Sequence, residues 1–392
     1  MTADAHQERP GRSELGRALM AGGALTSDWA PAYAAVPRSA FLPERMWPFD
    51  MEAGRSVPVS RTDDPTAWYR HADADAPIVT QWDDGRHGGE EPGRVSTSSA
   101  SMPSVVFSML RDLDVAAGHR VLEIGTGTGW SSALLAHRLG AGSVYSVEVD
   151  RAVAEAARRA LNAFGSTAYV VHGDGVAGHP EAAPYDRVIA TCGVRTIPRS
   201  WVDQCRPNGI IVAPWGTHYS HSDAVARLVV SQDGRSASGR FTGAVEFMKL
   251  RAQRQPAVVH SEYVIGSVAD GDETSTTITE EEFVGERFSA HRFALALRVR
   301  DCCQVVAPKE DGARPVWLYS LSDRSWACVL FHDGRTARVW QHGPRRLWDD
   351  AEAAHRWWVE HGEPDHTRFG LTVAPEGQWA WLDRPARSWP VS

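Results

Sequence analysis

The chain is short of the residues that mark several classes of protein. Its 392 residues include five cysteines, Cys192, Cys205, Cys302, Cys303 and Cys328, and none of them forms a Cys-x-x-Cys pair. This spacing disfavours a zinc ribbon or a disulfide framework and favours free thiols in a cytoplasmic protein. His355 and His361 lie six positions apart on one predicted helix, do not share a face well, and have no third ligand. We therefore expect no metal site.

The chain also lacks a long apolar run and an excess of positive charge. No stretch approaches about 18 consecutive apolar residues, the length that a membrane-spanning helix needs. The N-terminal residues have no apolar core of the kind that signal peptides carry. Lys and Arg total 41 against 49 Asp and Glu, which gives a formal net charge of −8. We expect a cytoplasmic protein with neither a nucleic-acid nor a membrane partner.

The most informative segment is Val121-Leu-Glu-Ile-Gly-Thr-Gly-Thr-Gly-Trp130. An apolar strand runs into a turn that has Gly125, Gly127 and Gly129 at alternate positions, and a helix follows. Glycine has no Cβ, so the backbone of this glycine loop (residues 125–129) can pass close to a ligand. The first turn of the helix offers free N–H groups to the same ligand. The pattern predicts a nucleoside-binding loop.

The chain around the glycine loop alternates strands with helices. Buried strands are predicted at residues 121–124, 144–147, 169–171, 187–190 and 209–213, with helices at 104–113 and 151–164. This alternation predicts the α/β class, with a Rossmann-like, doubly wound and mostly parallel sheet. Ligands bind at the carboxyl ends of such strands. Glu148 is placed there to accept from ribose hydroxyls, and Asp174 to accept from an adenine amino group.

The residues beside the glycines distinguish between two kinds of cofactor. A nicotinamide dinucleotide requires Gly-x-Gly-x-x-Gly with the helix facing a pyrophosphate. Here Glu123 precedes the glycines, and a carboxylate suits the cationic, phosphate-free S-adenosyl-L-methionine better. We expect Glu123, Thr126, Gly175 and Thr191 to join the three glycines and the two acids in binding this cofactor. Two simpler explanations stay open: the acids only cap loops, and the Thr191 hydroxyl is satisfied within its strand.

Several segments of the chain resemble the protein L-isoaspartyl O-methyltransferase family. They include Val36-Pro-Arg-Ser-Ala-Phe-Leu-Pro43, the Ser-x-Pro segment Ser99-Ala-Ser-Met-Pro103, the glycine loop, and His172-Gly-Asp-Gly175. The likeness reaches to about residue 250. It implies a class I methyltransferase fold, S-adenosyl-L-methionine as the methyl donor, and an active-site serine in the Ser-x-Pro segment.

Methyl transfer to a carboxylate makes limited demands on a protein. An ionised carboxylate is already a nucleophile, so the site has to position it and exclude water without protonating it. A serine hydroxyl and backbone N–H groups suit this task. Ser101 matches the family's active-site serine, and Ser98 and Ser99 are the alternatives. Ser101 could also cap the helix that follows, and the two roles are not exclusive.

The sequence departs from the family pattern in two places. Residues 47–94 form a longer link before the Ser-x-Pro segment, and the chain continues from 251 to 392, where nine of its 16 Trp lie after residue 310. Both features resemble the branch of the family that accompanies macrocyclised ribosomal peptides (lanthipeptides and graspetides), in which an aspartate methyl ester closes to an aspartimide. We expect a methyltransferase domain at 1–250 and an α+β domain at 251–392, with a strand at 292–298 and a hairpin turn at Asp333-Gly334.

Three functions compete at this point. The first is methylation of an aspartate in a macrocyclised precursor peptide, the second is repair of L-isoaspartyl residues, and the third is binding without turnover. The intact cofactor loop disfavours the third. The long link and the Trp-rich domain favour the first, because a repair enzyme gains nothing from extra recognition surface. In that case at least one of Trp348, Trp357, Trp379 and Trp381 should be exposed and contact the peptide.

Overall fold

The computed structural model describes residues 9–333 and 336–391, and within them the chain forms two compact units. The first takes in the chain up to Cys192 with Pro198–Ala213 and Arg227–Ala237. The second takes in Gly193–Ile197, Pro214–Ala226 and the chain from Ser238 onward. Residues 193–250 are thus shared between the units, and a domain boundary at 250 stays a prediction. The second residue of the predicted turn at Asp333-Gly334 lies outside the described residues.

The elements of the first unit include seven helices in its described part. These helices are α1 (Pro10–Ala21), α2 (Ala30–Ala35), α3 (Pro65–Ala72), α4 (Pro103–Leu113), α5 (Trp130–Leu139), α6 (Arg151–Phe164) and α7 (Arg199–Asp203). The strands are β1 (Arg45–Asp50), β2 (Arg55–Ser56), β3 (Val59–Ser60), β4 (Ile78–Trp82), β5 (Ser96–Ala100), β6 (Val121–Ile124), β7 (Val144–Glu148), β8 (Tyr169–His172) and β9 (Tyr185–Ala190). Three further strands, β10 (Cys205–Trp215), β11 (Asp223–Val230) and β12 (Ala237–Val245), have residues in both units.

A parallel sheet forms the centre of the first unit. Its strands follow the order β10-β9-β6-β7-β8, and each neighbouring pair is parallel. Every residue of β6 is buried, as expected for a strand with both faces covered. The five strands lie where the sequence predicts them, which confirms the doubly wound α/β fold. In the register of β7 and β8, Glu148 stands beside His172, so the carboxyl ends of these strands are neighbours.

Residues 47–94 fold into ordered structure. Their strands form an antiparallel sheet in the order β2-β1-β4-β5, with β3 also paired to β1. Met46, Trp68, Ile78 and Ala100 pack together in its core. The last strand, β5, leads directly into the Ser-x-Pro segment. The long link is therefore built into the strand that carries the candidate serines.

The second unit is α+β, as predicted. Its helices are α8 (Glu280–Val284), α9 (Ala290–Arg298) and α10 (Leu347–Glu360). Its strands are β13 (Asp272–Thr276), β14 (Cys302–Val306), β15 (Ala313–Ser320), β16 (Trp326–His332), β17 (Ala337–His342), β18 (Phe369–Ala374), β19 (Gly377–Leu382) and β20 (Ser388–Pro390). One antiparallel sheet follows the order β13-β17-β16-β15-β14. In another, β18 and β20 flank β19.

The strand expected at residues 292–298 is wrong, because this segment belongs to helix α9. The alternation of Phe293, Leu295 and Leu297 suggested a strand, but the alanines between them are buried as well. Five consecutive residues, 293–297, are buried, and periodicity alone cannot assign a short, continuously buried run to a helix or a strand. The helix begins at a recognisable cap, where Ser289 Oγ accepts from the Arg292 N–H (3.4 Å).

Five of the ten tryptophans in the second unit are buried, and the other five are partly exposed. Of the four singled out from the sequence, Trp348 and Trp381 are 2% and 4% exposed, whereas Trp357 and Trp379 are partly exposed. Only the latter two are therefore available to a partner. In the part of the chain that the structure describes, no helix combines the length and apolar character needed to cross a membrane.

Candidate active site

The Ser-x-Pro segment and the glycine loop meet in the first unit. Gly127 has a φ of +53°, and a Cβ built on it would lie 3.2 Å from the Ser99 carbonyl oxygen. A side chain at this position would be strained and would press on the backbone of β5. The candidate serines precede Gly127 by about 25 residues in the chain, and this close approach brings their segment against the predicted cofactor loop.

A buried hydrogen-bond network supports the glycine loop. Ser146 Oγ donates to Glu123 Oε2 (2.7 Å), and Thr126 Oγ1 lies 2.6 Å from Ser146 Oγ, to which it donates. Ser132 Oγ also donates to Glu123. Glu123 is fully buried, and this burial raises the pKa of its carboxyl group. The side chains of Glu123 and Thr126 are thus engaged inside the fold, where they fix the loop.

Glu148 lies beside the glycine loop at the end of β7. Its Oε2 accepts from the Gly127 N–H (3.0 Å) and its Oε1 from the Asp150 N–H (3.1 Å). An ionised carboxylate has about four acceptor positions. Two of them are occupied here, and the others can serve a ligand hydroxyl. The loop-capping explanation and the ribose-binding explanation are both compatible with this geometry.

Asp174 follows the neighbouring strand β8 and is exposed. One of its oxygens accepts from the Val176 N–H (2.9 Å). The next residue, Gly175, is buried, and its carbonyl accepts from Trp201 Nε1 (2.8 Å). Gly175 thus contributes backbone to the fold, while the Asp174 carboxylate stays available at the carboxyl edge of the sheet.

Thr191 and Gly129 hold the loop from its two ends. The Thr191 hydroxyl donates to the Gly125 carbonyl, with the Ile124 carbonyl 3.2 Å away. The Thr191 hydroxyl is therefore hydrogen-bonded within the protein, which agrees with the simpler of the two explanations that the sequence left open for it. Gly129 has a φ of +89°, and a Cβ there would lie 3.2 Å from Leu161 Cγ on α6. Both residues position the glycine loop through contacts within the protein.

The three candidate serines differ in their surroundings. Ser98 is buried, and its Oγ accepts from Thr80 Oγ1 (3.1 Å). Ser99 presents its carbonyl to Gly127 and is partly exposed. Ser101 is partly exposed as well, and its hydroxyl has no hydrogen-bond partner among the described residues. The cap residue of α4 is Met102, without a side-chain cap. Ser101 therefore does not cap the helix, and its hydroxyl is free for a substrate.

Arg38 has a structural role beside the candidate serines that the sequence did not reveal. It is 4% exposed, and its Nη2 donates to the carbonyls of Ala76 (3.0 Å), Ala100 (2.8 Å) and Ser101 (3.0 Å). Burial lowers the pKa of its guanidinium to about 9. Arg38 thereby ties the Val-Pro-Arg element to the Ser-x-Pro segment. The sign of this role in the sequence is an arginine inside an otherwise largely apolar motif.

Asp75 is a second residue that sequence reasoning missed. Its Oδ1 accepts from the Ser104 N–H (2.8 Å) in the first turn of α4. A carboxylate at this position satisfies a free N–H group of the helix and interacts favourably with its dipole. Because Asp75 lies 29 positions before Ser104 in the chain, no local pattern could reveal this cap. The long link thus fixes the helix that follows the serines.

Comparison with known proteins identifies the family. The model of the family described as Protein-L-isoaspartate(D-aspartate) O-methyltransferase (PCMT) matches residues 89–255. Protein-L-isoaspartate O-methyltransferase 2 of Archaeoglobus fulgidus is 36% identical over 157 residues, which span 39% of this chain and 69% of the relative. The chain belongs to the protein-L-isoaspartate O-methyltransferase family. It is accordingly an S-adenosyl-L-methionine-dependent protein carboxyl O-methyltransferase.

Two further matches agree with this family. Protein-L-isoaspartate O-methyltransferase of Pyrococcus horikoshii is 36% identical over 151 residues, 38% of this chain and 67% of the relative. A solved structure named protein-L-isoaspartate O-methyltransferase has the same fold, with a TM-score of 0.53 and 21% identity. That match covers 95% of this chain and all of the other. Its fold likeness thus extends well beyond residues 89–255.

The residues of the site fit S-adenosyl-L-methionine. All three glycines have positive φ, a backbone conformation that other residues rarely adopt and that this tight loop requires. Glu148 retains acceptor positions, and Asp174 is exposed at the next strand end. These residues would hold the nucleoside part of the cofactor. The cofactor has no phosphate group that would repel the two carboxylates. When bound, the cofactor supplies an electrophilic methyl group on a sulfonium.

Proposed function

We propose that the chain methylates the free carboxylate of L-isoaspartyl residues in peptides or proteins. The observation that supports this proposal is the close approach of the Ser99 carbonyl to Gly127, which brings the Ser-x-Pro segment that carries Ser101 against the glycine loop. The relatives from Pyrococcus horikoshii and Archaeoglobus fulgidus are named for this substrate. The names of the relatives therefore support the repair reading better than the macrocyclic-peptide reading that the sequence favoured.

The proposed chemistry assigns a modest task to each residue. With S-adenosyl-L-methionine bound, the carboxylate oxygen would take the methyl group, and the sulfur would keep the electron pair of the broken bond. Ser101 donates a hydrogen bond to the acceptor carboxylate and holds it in line without protonating it. Arg38 and Asp75 keep the Ser-x-Pro segment and α4 in place. Glu123, Thr126 and Thr191 keep the glycine loop in place.

A macrocyclised peptide remains the second candidate substrate, because one observation favours it. Strand β4 of the long link is hydrogen-bonded along β5, so that the link shapes the segment that holds the acceptor. Residues 251–392 support the macrocyclic-peptide candidate less than the sequence suggested. The reason is that the fold match to a protein named for isoaspartate extends over 95% of the chain. We retain those residues as a proposed peptide-recognition domain and a cytoplasmic location as a prediction.

Mass spectrometry of matched peptides tests both candidates. The full chain is incubated with S-adenosyl-L-methionine and one of three peptides: an isoaspartyl peptide, its aspartyl isomer, or a cyclised peptide with an aspartate. The proposal expects one added methylene on the isoaspartyl peptide and none on its isomer. A faster reaction of the cyclised peptide, with net loss of one water because methanol leaves the ester, would instead establish the second candidate.

A further inference from the structure

A small cleft in the second unit combines cationic and aromatic side chains. Its lining consists of Arg298, Trp357, His361, Leu382, Arg387 and Trp389, around a cavity of about 180 Å³. The lining comes from the end of α9, from α10, from β19 and from the region of β20. None of these six residues is acidic. The cleft therefore carries an excess of positive charge.

Arg298 lies against two indole rings that contact each other edge-on. Its Cζ lies 4.8 Å from the ring centroid of Trp357 and 4.9 Å from that of Trp389. The rings are 5.4 Å apart at an angle of 74°, and Trp389 Nε1 donates to the Leu297 carbonyl (2.7 Å). A guanidinium stacked on indole rings keeps its N–H edges for other partners.

No described residue supplies an acid for Arg298. Its side chain makes no hydrogen bond or ion pair with the described part of the chain, and burial alone lowers the pKa of its guanidinium. The nearby carboxylate of Asp383 is already engaged, since it accepts from Arg368 through both oxygens (2.9 and 3.0 Å). Arg298 thus offers unused donors at the mouth of a cleft.

Two further groups line the cleft, and one of them extends the donor set. His361 Nδ1 donates to the Trp357 carbonyl (2.7 Å), which fixes the ring and leaves Nε2 of the neutral imidazole as an acceptor. Arg387 is exposed and forms no ion pair within the described residues, and after Arg368 it contributes to lowering the pKa of the Asp383 carboxyl group. Two guanidinium groups with aromatic walls match a flat anion, because arginine binds carboxylates in a bidentate manner.

We propose that this cleft binds a carboxylate of a peptide, carried by an acidic side chain or by the C-terminus. The cavity is smaller than the roughly 300–1,000 Å³ of typical small-molecule sites, so it suits one residue better than a nucleotide. This role of the cleft extends the proposed function. It rests on that function in one respect, which is that the bound peptide is the methyl acceptor. The cleft would give such a peptide a second point of attachment on the enzyme.

Binding of short peptides to the full chain tests the cleft directly. The probes are acetyl-Ala-Asp-Ala-amide, its Asn counterpart, and acetyl-Ala-Ala-Ala with a free C-terminus, followed by tryptophan fluorescence. The Asp peptide should bind at least about tenfold more tightly than the Asn peptide, the effect of one hydrogen bond between charged groups. The free C-terminus shows which of the two carboxylates is preferred.

Matched variants assign the binding to the cleft. Arg298→Met and Arg387→Met should each weaken the Asp peptide about tenfold, while Arg300→Met, at an exposed arginine outside the cleft, should leave it unchanged. Because Arg298 also packs against the rings of Trp357 and Trp389, its replacement could disturb the fold, and thermal melting checks this. Arg387→Met tests the same donor set without that packing. With an isoaspartyl peptide that carries an added Asp, both variants should raise KM and leave kcat unaltered.

Three results would overturn the assignment. These are equal affinity for the Asp and Asn peptides, full affinity in both arginine variants, or tighter binding of AMP or inorganic phosphate than of either carboxylate peptide. Failure of the proposed function looks different. In that case the wild-type chain methylates no isoaspartyl peptide, while binding of the Asp peptide and its dependence on Arg298 persist and support the cleft.

Discussion

Replacement of Arg38 by Met tests how the serine segment is held. Methionine keeps an apolar stem of similar length but cannot donate to the carbonyls of Ala76, Ala100 and Ser101. A hydrogen bond from a charged group contributes about 1.5–3 kcal/mol. The two contacts to Ala100 and Ser101 therefore amount to at least about 3 kcal/mol. Relief of the buried charge offsets part of this, so we expect a loss of about 2–3 kcal/mol in the free energy of unfolding.

The effect on methyl transfer should exceed the effect on stability. Arg38 touches no reacting group, so it acts as a positioning residue for Ser101. A displacement of about 1 Å in a reacting geometry can cost about 100-fold in rate, and we expect kcat to fall on that scale. Cofactor affinity should stay near wild type, because the glycine loop has its own supports in Ser146 and Thr191.

Three measurements decide the outcome for Arg38→Met. Urea unfolding gives the stability, calorimetry gives cofactor affinity, and transfer to an isoaspartyl peptide is measured where the variant is fully folded. Arg17→Met, at an exposed arginine of the same unit, is the control. Arg38→Lys should recover only part of the rate, since an ammonium lacks the planar fork. Wild-type kcat in folded Arg38→Met would refute the positioning role.

Three other substitutions have definite expectations. Ser101→Ala should lower kcat and leave cofactor affinity unchanged; an unaltered kcat would transfer the role to Ser98 or Ser99. Glu148→Ala should weaken cofactor binding by about 1–3 kcal/mol in calorimetric titration, because it removes an acceptor that also holds the Gly127 N–H. Lys249→Met should destabilise the chain by about 3–5 kcal/mol in urea, because it leaves buried Asp223 without its ion-pair partner. Burial raises the pKa of Asp223, so the native state binds its proton more readily than the unfolded state does. The stability of Lys249→Met should therefore rise as the pH falls from neutral to weakly acid, and a flat profile would contradict this.

The central sheet and its loop could be predicted because their signals are local. Gly125, Gly127 and Gly129 follow an apolar strand, and Glu148 and Asp174 end the next two strands. Each element has a pattern within ten residues, and the order of elements then determines which ends are neighbours. The positions of the five parallel strands agree with the structure for this reason.

The supports of the site could not be predicted, since they join distant parts of the chain. Arg38 reaches carbonyls 36 to 63 positions away, and Asp75 caps a helix 29 positions later. The cofactor-binding roles of Glu123 and Thr126 stay predictions, and the sequence could not show that these side chains engage Ser132 and Ser146 inside the fold. A motif shows which residue types surround a loop, but burial decides whether a side chain faces the ligand or the protein interior.

The pairing of β4 with β5 has a consequence for engineering. In the described structure β5 lies at the end of its sheet and β4 is its partner there. Deletion of residues 47–94 would leave the strand before Ser101 with unpaired N–H and C=O groups on that side, a template for aggregation. Chimeras between relatives should therefore exchange residues 45–100 as one cassette. Such an exchange keeps β4 paired with β5, while the glycine loop stays in the host.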